Sequence, residues 1–171
     1  MSRLDERSPS VAAPPDIAFL RGHVAHMLAL VGGAGLSPVA PGTVGALVGI
    51  PFGLCLALAG PLVAALGLAA VAGLGIWACG TTARHAGVHD HPAIVLDETW
   101  AMAAVAAFAP AGIVPLVIGF LAFRLFDIAK PWPIGVIDRR VGSGLGIMLD
   151  DAVAALFALL TVHLLARGLG L

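Results

Sequence analysis

The chain has 171 residues, of which 60% are hydrophobic and 11% charged, and its formal net charge is −1. Its mean hydropathy is +1.02. Soluble domains contain about 45–50% apolar and about 25% charged residues, so nine basic and ten acidic residues are too few to cover a soluble protein of this length. The nearly neutral charge excludes a basic surface for nucleic acid. The composition therefore predicts a membrane protein without a nucleic-acid partner.

The N-terminal segment differs in composition from the rest of the chain. Residues 1–22 mix both signs of charge with proline and serine and contain no long apolar run, which predicts a flexible tail and not a signal peptide. Residues 23–171 are predicted to form a single membrane-embedded domain. Within it, Cys55 and Cys79 lie in apolar sequence without metal-ligand spacing and are interpreted as small buried hydrophobic residues.

The apolar segments predict an all-α polytopic membrane bundle of about six helices, four or five of which span the bilayer. The first segment is shorter than the roughly 20 residues that span a bilayer, so we expect it to lie along the interface or to enter it partway. Two helical hairpins follow, which turn at Gly60-Pro61 and at Pro110–Gly112, and a last helix ends the bundle. The predicted helices cover, in chain order, residues 23–36, 44–59, 62–79, 93–109, 113–129 and 150–166.

Two hairpins would bring three polar segments, residues 37–43, 80–98 and 124–151, to one face of the membrane. Cytoplasmic loops of membrane proteins are enriched in lysine and arginine. Only Arg167 is predicted on the opposite face, so we expect the polar face to be cytoplasmic and the chain to be a multi-pass inner-membrane protein. The basic residues predicted on the polar face are Arg84, Arg124, Lys130, Arg139 and Arg140.

Seven of the ten acidic residues fall in these segments. A carboxylate beside hydrocarbon is costly and marks a candidate functional site, and gathered carboxylates repel one another unless a cation lies between them. Hard oxygen ligands favour Mg²⁺ or Ca²⁺. Two structural explanations stay open: helix capping by the aspartates that open the last helix, and pairing of Asp127 with Arg124 or Lys130. The acidic residues are Asp90, Asp97, Glu98, Asp127, Asp138, Asp150 and Asp151.

Other side chains in the polar segments are candidates for substrate binding. Thr43 follows glycine and proline at the start of an apolar helix. This helix start either binds an anion or only caps the helix and packs closely. His89, Asp90 and His91 would position substrate or move a proton, or belong to a surface loop. Basic side chains bind phosphate oxygens, and arginine can do so with two N–H groups at once. The candidates are Arg124, Lys130, Arg139 and Arg140.

Four motifs occur in an order and at spacings that resemble the phosphatidylglycerophosphatase A family: GLSPVAPGTVG; GVHDH followed by VLDE; FRLFDIAKPWPI followed by DRR; and GLGIMLDD. The resemblance runs from about Gly32 to Ala155. It implies a magnesium-dependent phosphatase of bacterial membranes that converts phosphatidylglycerophosphate to phosphatidylglycerol and inorganic phosphate. The motif residues that it implicates are Asp97, Glu98, Arg124, Asp127, Lys130, Asp150 and Asp151.

The resulting hypothesis is a lipid phosphatase whose substrate stays in the membrane. One or two Mg²⁺ would bind among five carboxylates, while Arg124 and Lys130 bind phosphate oxygens. The nucleophile would be metal-activated water, which we favour, or a carboxylate that forms an acyl-phosphate. A small cation-coupled transporter would instead place its carboxylates near the bilayer midplane, and a structural subunit would use them only as helix caps. The proposed metal ligands are Asp97, Glu98, Asp127, Asp150 and Asp151.

Overall fold

The structure is a computed structural model that describes residues 15–88 and 90–169. Within these residues the fold is all-α, with eight α-helices, one 3₁₀ segment at Val31–Leu36 and no β-strand. The α-helices are α1 (Ile17–Gly22), α2 (Val24–Ala29), α3 (Pro41–Leu58), α4 (Pro61–Ala86), α5 (Leu96–Phe108), α6 (Ile113–Ala129), α7 (Ile134–Arg140) and α8 (Gly144–Leu169).

Three of these helices, α3, α4 and α8, are long and apolar enough to cross a membrane. The all-α membrane bundle is therefore confirmed, but with three helices of spanning length in the described chain instead of the predicted four or five. Helix α5 has 13 residues and α6 has 17, whereas about 20 are needed. The second hairpin is shorter than predicted because the chain before Leu96 makes a separate turn, in which the Ile94 N–H donates to the His91 carbonyl.

The chain before α3 folds into short pieces. The Asp16 side chain caps α1 by accepting from the Phe19 N–H at 2.8 Å, and the His23 side chain caps α2. The 3₁₀ segment contains Gly32 and Gly33, both with positive φ, so no continuous helix forms. None of these pieces is long enough to span. Helix α1 lies inside the predicted N-terminal tail, whereas residues 1–14 of that tail lie outside the described residues.

Helices α3 and α5 pack with their backbones in contact because glycines line the facing side of α3. A Cβ atom on Gly49 would overlap the carbonyl oxygen of Thr99, and one on Gly53 would overlap the carbonyl of Ala103. The Thr99 hydroxyl donates to the Gly45 carbonyl oxygen at 2.9 Å. Small residues allow such close approach between helices in membranes. This packing holds the first turn of α5 beside the first turn of α3.

Helix α5 lies at the centre of the bundle, where it packs against α3, α4, α6 and α8. Its Met102 and Val105 side chains are fully buried, as is Phe123 of α6, and the Trp100 indole donates to the Leu68 carbonyl of α4 at 2.8 Å. Other helices surround α5, so protein and not lipid covers most of its surface. A 13-residue helix can therefore lie inside the bundle.

The ends of five helices meet at what we call the polar end of the bundle: the N-terminal ends of α3, α5 and α8 and the C-terminal ends of α4 and α6. A Cβ atom on Gly42 of α3 would meet Glu98 of α5 and Arg124 of α6. Gly80 of α4 lies against Gly144 of α8. All three polar segments of the sequence therefore contribute residues to one end of the molecule.

Candidate metal centre

Three carboxylates converge at the polar end and form what we call the acidic cluster: Asp97 and Glu98 in the first turn of α5, and Asp151 in α8. One potential ligand atom from each lies within 4.8 Å of the others. Asp97 is 6% exposed and Asp151 is 3% exposed. Among the described residues, Asp97 Oδ1, Glu98 Oε2 and Asp151 Oδ2 are buried without a hydrogen-bond partner. Buried polar atoms are normally paired, so either a bound cation or a proton shared between neighbouring carboxyl groups would satisfy these oxygens.

The start of α8 determines which aspartate joins the acidic cluster. The sequence predicts that this helix opens at about Asp150 and leaves capping by the two aspartates as an alternative, but α8 begins at Gly144. Asp150 and Asp151 therefore lie inside the helix, beyond the first turn. Successive residues of a helix point about 100° apart, so the two carboxylates face different neighbours.

Arg124 and Asp127 extend the acidic cluster from α6. Arg124 Nη1 lies 2.7 Å from Asp127 Oδ2 and 3.9 Å from Glu98 Oε1. The Asp127 carboxylate lies beside that of Asp151. One guanidinium thus contacts two of the four carboxylates, so full ionisation of all four would leave an excess of negative charge in a buried place.

The ionisation of the α5 carboxylates reflects this excess of charge. Burial, together with the charges of Glu98 and Asp151, raises the pKa of Asp97 well above its ordinary value. Burial also raises the pKa of Glu98 to about 7. A divalent cation would offset the repulsion and give the unpartnered oxygens a ligand. An all-carboxylate set of hard oxygen donors fits a cation such as Mg²⁺ or Ca²⁺, so the residues present could hold a divalent metal ion.

Asp150 lies outside the acidic cluster, in an ion-pair network with Lys130. Lys130 Nζ donates to Asp138 Oδ1 and to Asp150 Oδ2, each at 2.6 Å. Burial alone would lower the pKa of Lys130, but the hydrogen bonds and charges of the two aspartates outweigh it and raise that pKa above its ordinary value. The network joins the C-terminal end of α6 to α7 and α8.

The first turn of α3 lies next to the acidic cluster. In the part of the chain that the structure describes, no side chain caps this helix, whose N-cap residue is Ala40. Gly42 lies against Glu98 and Arg124 so closely that a methyl group there would overlap the Glu98 carboxylate. Thr43, the predicted anion-binding residue, is half-buried in the same turn. Free N–H groups and the helix dipole at such an end favour an anion.

The remaining predicted substrate-binding residues lie around the polar end. His91 Nδ1 accepts from the Ala93 N–H at 3.1 Å, and burial lowers the pKa of His91. Asp90 lies within electrostatic range of Cys79, and Arg139 is exposed on α7. His89 lies outside the described residues.

Two residues of α4 near the site were not among the sequence candidates. Cys79 is buried within electrostatic range of Glu98 and Asp151. Thr82, one turn later, is fully buried, and its hydroxyl has no hydrogen-bond partner among residues 15–88 and 90–169. Thr161, by contrast, donates to the carbonyl oxygen four residues before it. In the sequence, the pair Thr81-Thr82 near the end of an otherwise apolar helix could have indicated Thr82.

Comparison with known proteins agrees with this arrangement. Residues 27–166 match the family profile described as Phosphatidylglycerophosphatase A, and this range contains the whole acidic cluster. The chain belongs to the phosphatidylglycerophosphatase A family. The sequence resemblance to that family is thereby confirmed.

Relatives from three bacteria each match most of the chain. The phosphatidylglycerophosphatase A of Escherichia coli K12 is 41% identical over 138 residues, 78% of this chain and 78% of its own. That of Haemophilus influenzae is 40% identical over 139 residues, 80% of this chain and 85% of its own. A Bacteroides thetaiotaomicron protein, provisionally named a phosphatidylinositol-3-phosphatase, is 31% identical over 143 residues, 76% of this chain and 86% of its own. No solved structure matched the chain.

Proposed function

We propose that this chain is a magnesium-dependent phosphatidylglycerophosphatase of the bacterial inner membrane, which hydrolyses phosphatidylglycerophosphate to phosphatidylglycerol and inorganic phosphate. The observation that carries the proposal is the acidic cluster, in which Asp97, Glu98 and Asp151 converge with unpartnered buried oxygens. Membership of the phosphatidylglycerophosphatase A family supplies the substrate class.

The metal would be held by the acidic cluster, with Asp127 close enough to assist through its contact with Asp151. A bound Mg²⁺ supplies positive charge that stabilises the charge developing on the phosphoryl group. The Glu98 carboxylate is fixed from two sides, by the close approach of Gly42 and by the Arg124 guanidinium. These contacts keep the ligand oxygens in place before substrate arrives.

The terminal phosphate would bind between Arg124 and the first turn of α3. Arg124 presents a planar fork of N–H donors, and the uncapped N–H groups near Gly42 and Thr43 add further donors. Lys130 is already neutralised by Asp138 and Asp150. We therefore assign Lys130 a role in positioning α7 against α8, whereas the sequence had placed it on the phosphate.

Hydrolysis breaks the bond between phosphorus and the glycerol oxygen, and water provides the oxygen that joins the released phosphate. The alternative is attack by a carboxylate to form an acyl-phosphate. Acid-quenched enzyme after turnover of phosphorus-labelled substrate should carry no labelled phosphoryl group. A labelled aspartate or glutamate would replace the water mechanism with the covalent one.

Two features support a cytoplasmic active site. The polar end carries Arg84, Arg139 and Arg140 in addition to the residues of the site, whereas Arg167 lies near the far end of α8. Positive charge is enriched on the cytoplasmic side of membrane proteins. Asp97, Glu98 and Asp127 lie at helix ends, and Asp151 lies about two turns from the start of α8. This placement argues against the transporter alternative with its midplane site.

Phosphate release from phosphatidylglycerophosphate by the purified protein in detergent tests the proposal. Wild type should release phosphate with Mg²⁺ and stop when a chelator is added, and Asp151→Asn should be inactive although folded. Phosphatidic acid and phosphatidylinositol 3-phosphate should be poorer substrates. If folded wild type released no phosphate from any of these lipids, the proposal would be wrong.

A further inference from the structure

A second feature of the bundle lies on the opposite side of α5 from the acidic cluster. It is an apolar groove of about 700 Å³ between α3 and α4, with α5 as its floor and α2 and the 3₁₀ segment at its top. We call it the lipid groove. Its walls include Val48, Phe52, Cys55, Gly67, Val71 and Trp100.

The lipid groove offers its occupant only apolar surface. The two polar side chains on its floor are already paired: the Trp100 indole donates to the Leu68 carbonyl and the Thr99 hydroxyl donates to the Gly45 carbonyl. Apolar cavities do not hold ordered water. Both walls, α3 and α4, are of membrane-spanning length. The available apolar occupant at that depth is an acyl chain.

A second cavity, of mixed polar and apolar lining, adjoins the top of the lipid groove, and Gly32 lines both. This second cavity measures about 590 Å³ and is lined by Asp16 and Arg21. Asp16 already caps α1 through the Phe19 N–H, whereas Arg21 is exposed. An apolar groove that continues into a cavity with an exposed arginine offers room for an acyl chain and a counter-charge for the phosphate of a phospholipid.

Helix α5 separates the lipid groove from the acidic cluster. Its groove-lining residues recur at helical spacing on one face: Leu96, Thr99, Trp100 and Ala103. Asp97 and Glu98 lie on the other faces of the same helix. The acyl-chain groove and the acidic cluster therefore lie on different faces of α5.

We propose that the lipid groove holds an acyl chain of a resident phospholipid, distinct from the substrate, whose head-group phosphate contacts Arg21. The proposal is independent of the proposed function, since it concerns a different surface of the bundle.

Native mass spectrometry of the full chain, extracted in mild detergent, tests the proposal. Wild type should retain one phospholipid. Gly67→Phe should lose it because the added ring fills the groove, and Arg21→Gln should reduce the retained fraction several-fold. Leu164→Phe and Arg167→Gln, which change an exposed leucine and an exposed arginine of α8, should match wild type.

Retention of the lipid by both Gly67→Phe and Arg21→Gln at the wild-type level would overturn the proposal, as would wild type without bound lipid. Arg21→Gln changes only an exposed side chain, so it gives an answer even if Gly67→Phe does not fold. A third result would also overturn it: a KM that rises in Gly67→Phe for long-chain substrate but not for a short-chain analogue would show that the groove belongs to the substrate. If the purified protein had no phosphatase activity, the proposed function would fail, but the number of lipids bound per chain would still be as predicted.

Discussion

Arg124 Nη1 lies 2.7 Å from Asp127 Oδ2 and 3.9 Å from Glu98 Oε1, so one guanidinium faces carboxylates from two helices. This relationship provides counter-charge for two of the four acidic side chains that are buried together. It also places the guanidinium beside the first turn of α3. Arg124 is therefore expected to order the site and to bind phosphate.

Replacement of Arg124 by glutamine should lower phosphate release by about 10²–10³-fold, as expected for the loss of a donor to developing charge. Steady-state kinetics on the detergent-purified enzyme would measure the effect. Arg139→Gln is the matched control, because Arg139 is exposed on α7. An equal loss in both variants would show that positive charge in general, and not the Arg124 geometry, supports the reaction.

Removal of one charge from the acidic cluster should stabilise the metal-free protein. The cluster carboxylates repel one another in a buried place, so Asp151→Asn in chelator should have a higher Tm than wild type in chelator. Mg²⁺ should raise the Tm of wild type and leave that of the variant nearly unchanged. Asp16→Asn, at an exposed cap, should respond to Mg²⁺ as wild type does. A variant that is less stable than wild type in chelator would argue against repulsion.

The glycine face of α3 sets the distance between α3 and α5. Gly49→Ala should destabilise the protein by about 1–3 kcal/mol, because the new methyl group would overlap the Thr99 carbonyl and force the helices apart. Gly73→Ala in α4 is the control, since no atom lies within 4 Å of the position of its Cβ. Thermal or denaturant unfolding in detergent would compare them. Equal stability of the two variants would contradict the proposed packing.

The Lys130 network predicts an asymmetry between its partners. Lys130→Met leaves Asp150 buried without its counter-charge, so it should cost about 1–3 kcal/mol after allowance for partial exposure of the lysine. Asp138→Asn should cost less, since Asp138 is more exposed than Asp150. Unfolding midpoints of the two variants would check the order. A larger loss of stability in Asp138→Asn than in Lys130→Met would show that α7, and not α8, depends on the network.

The hairpins could be predicted from the sequence because local signals mark their turns. Gly60-Pro61 and Gly112 break the apolar runs, and the structure has α3 ending at Leu58, α4 starting at Pro61 and α6 starting at Ile113. Because each hairpin crosses the bundle and returns, the polar segments before and after it meet at the same end. These features depend only on residues near each turn.

The start of α8 could not be predicted in the same way. The predicted helix covers residues 150–166, whereas α8 already begins at Gly144. A Cβ on Gly144 would overlap the Ile76 carbonyl, so this glycine lets α8 pack closely against α4. Its lack of a side chain serves tertiary packing, which a local pattern does not reveal. The direction of the Asp150 and Asp151 side chains depends on that helix start, so the sequence could not separate them. The unpaired hydroxyl of Thr82 likewise becomes visible only in three dimensions.

The central claim is that acids distant in sequence share one divalent ion, and Mn²⁺ binding measured by electron paramagnetic resonance tests it most directly. Asp151→Asn should weaken binding about tenfold or more, whereas Asp150→Asn, whose carboxylate faces Lys130, should bind Mn²⁺ as wild type does. Equal affinity of wild type and Asp151→Asn, or a loss confined to Asp150→Asn, would contradict the metal centre described above.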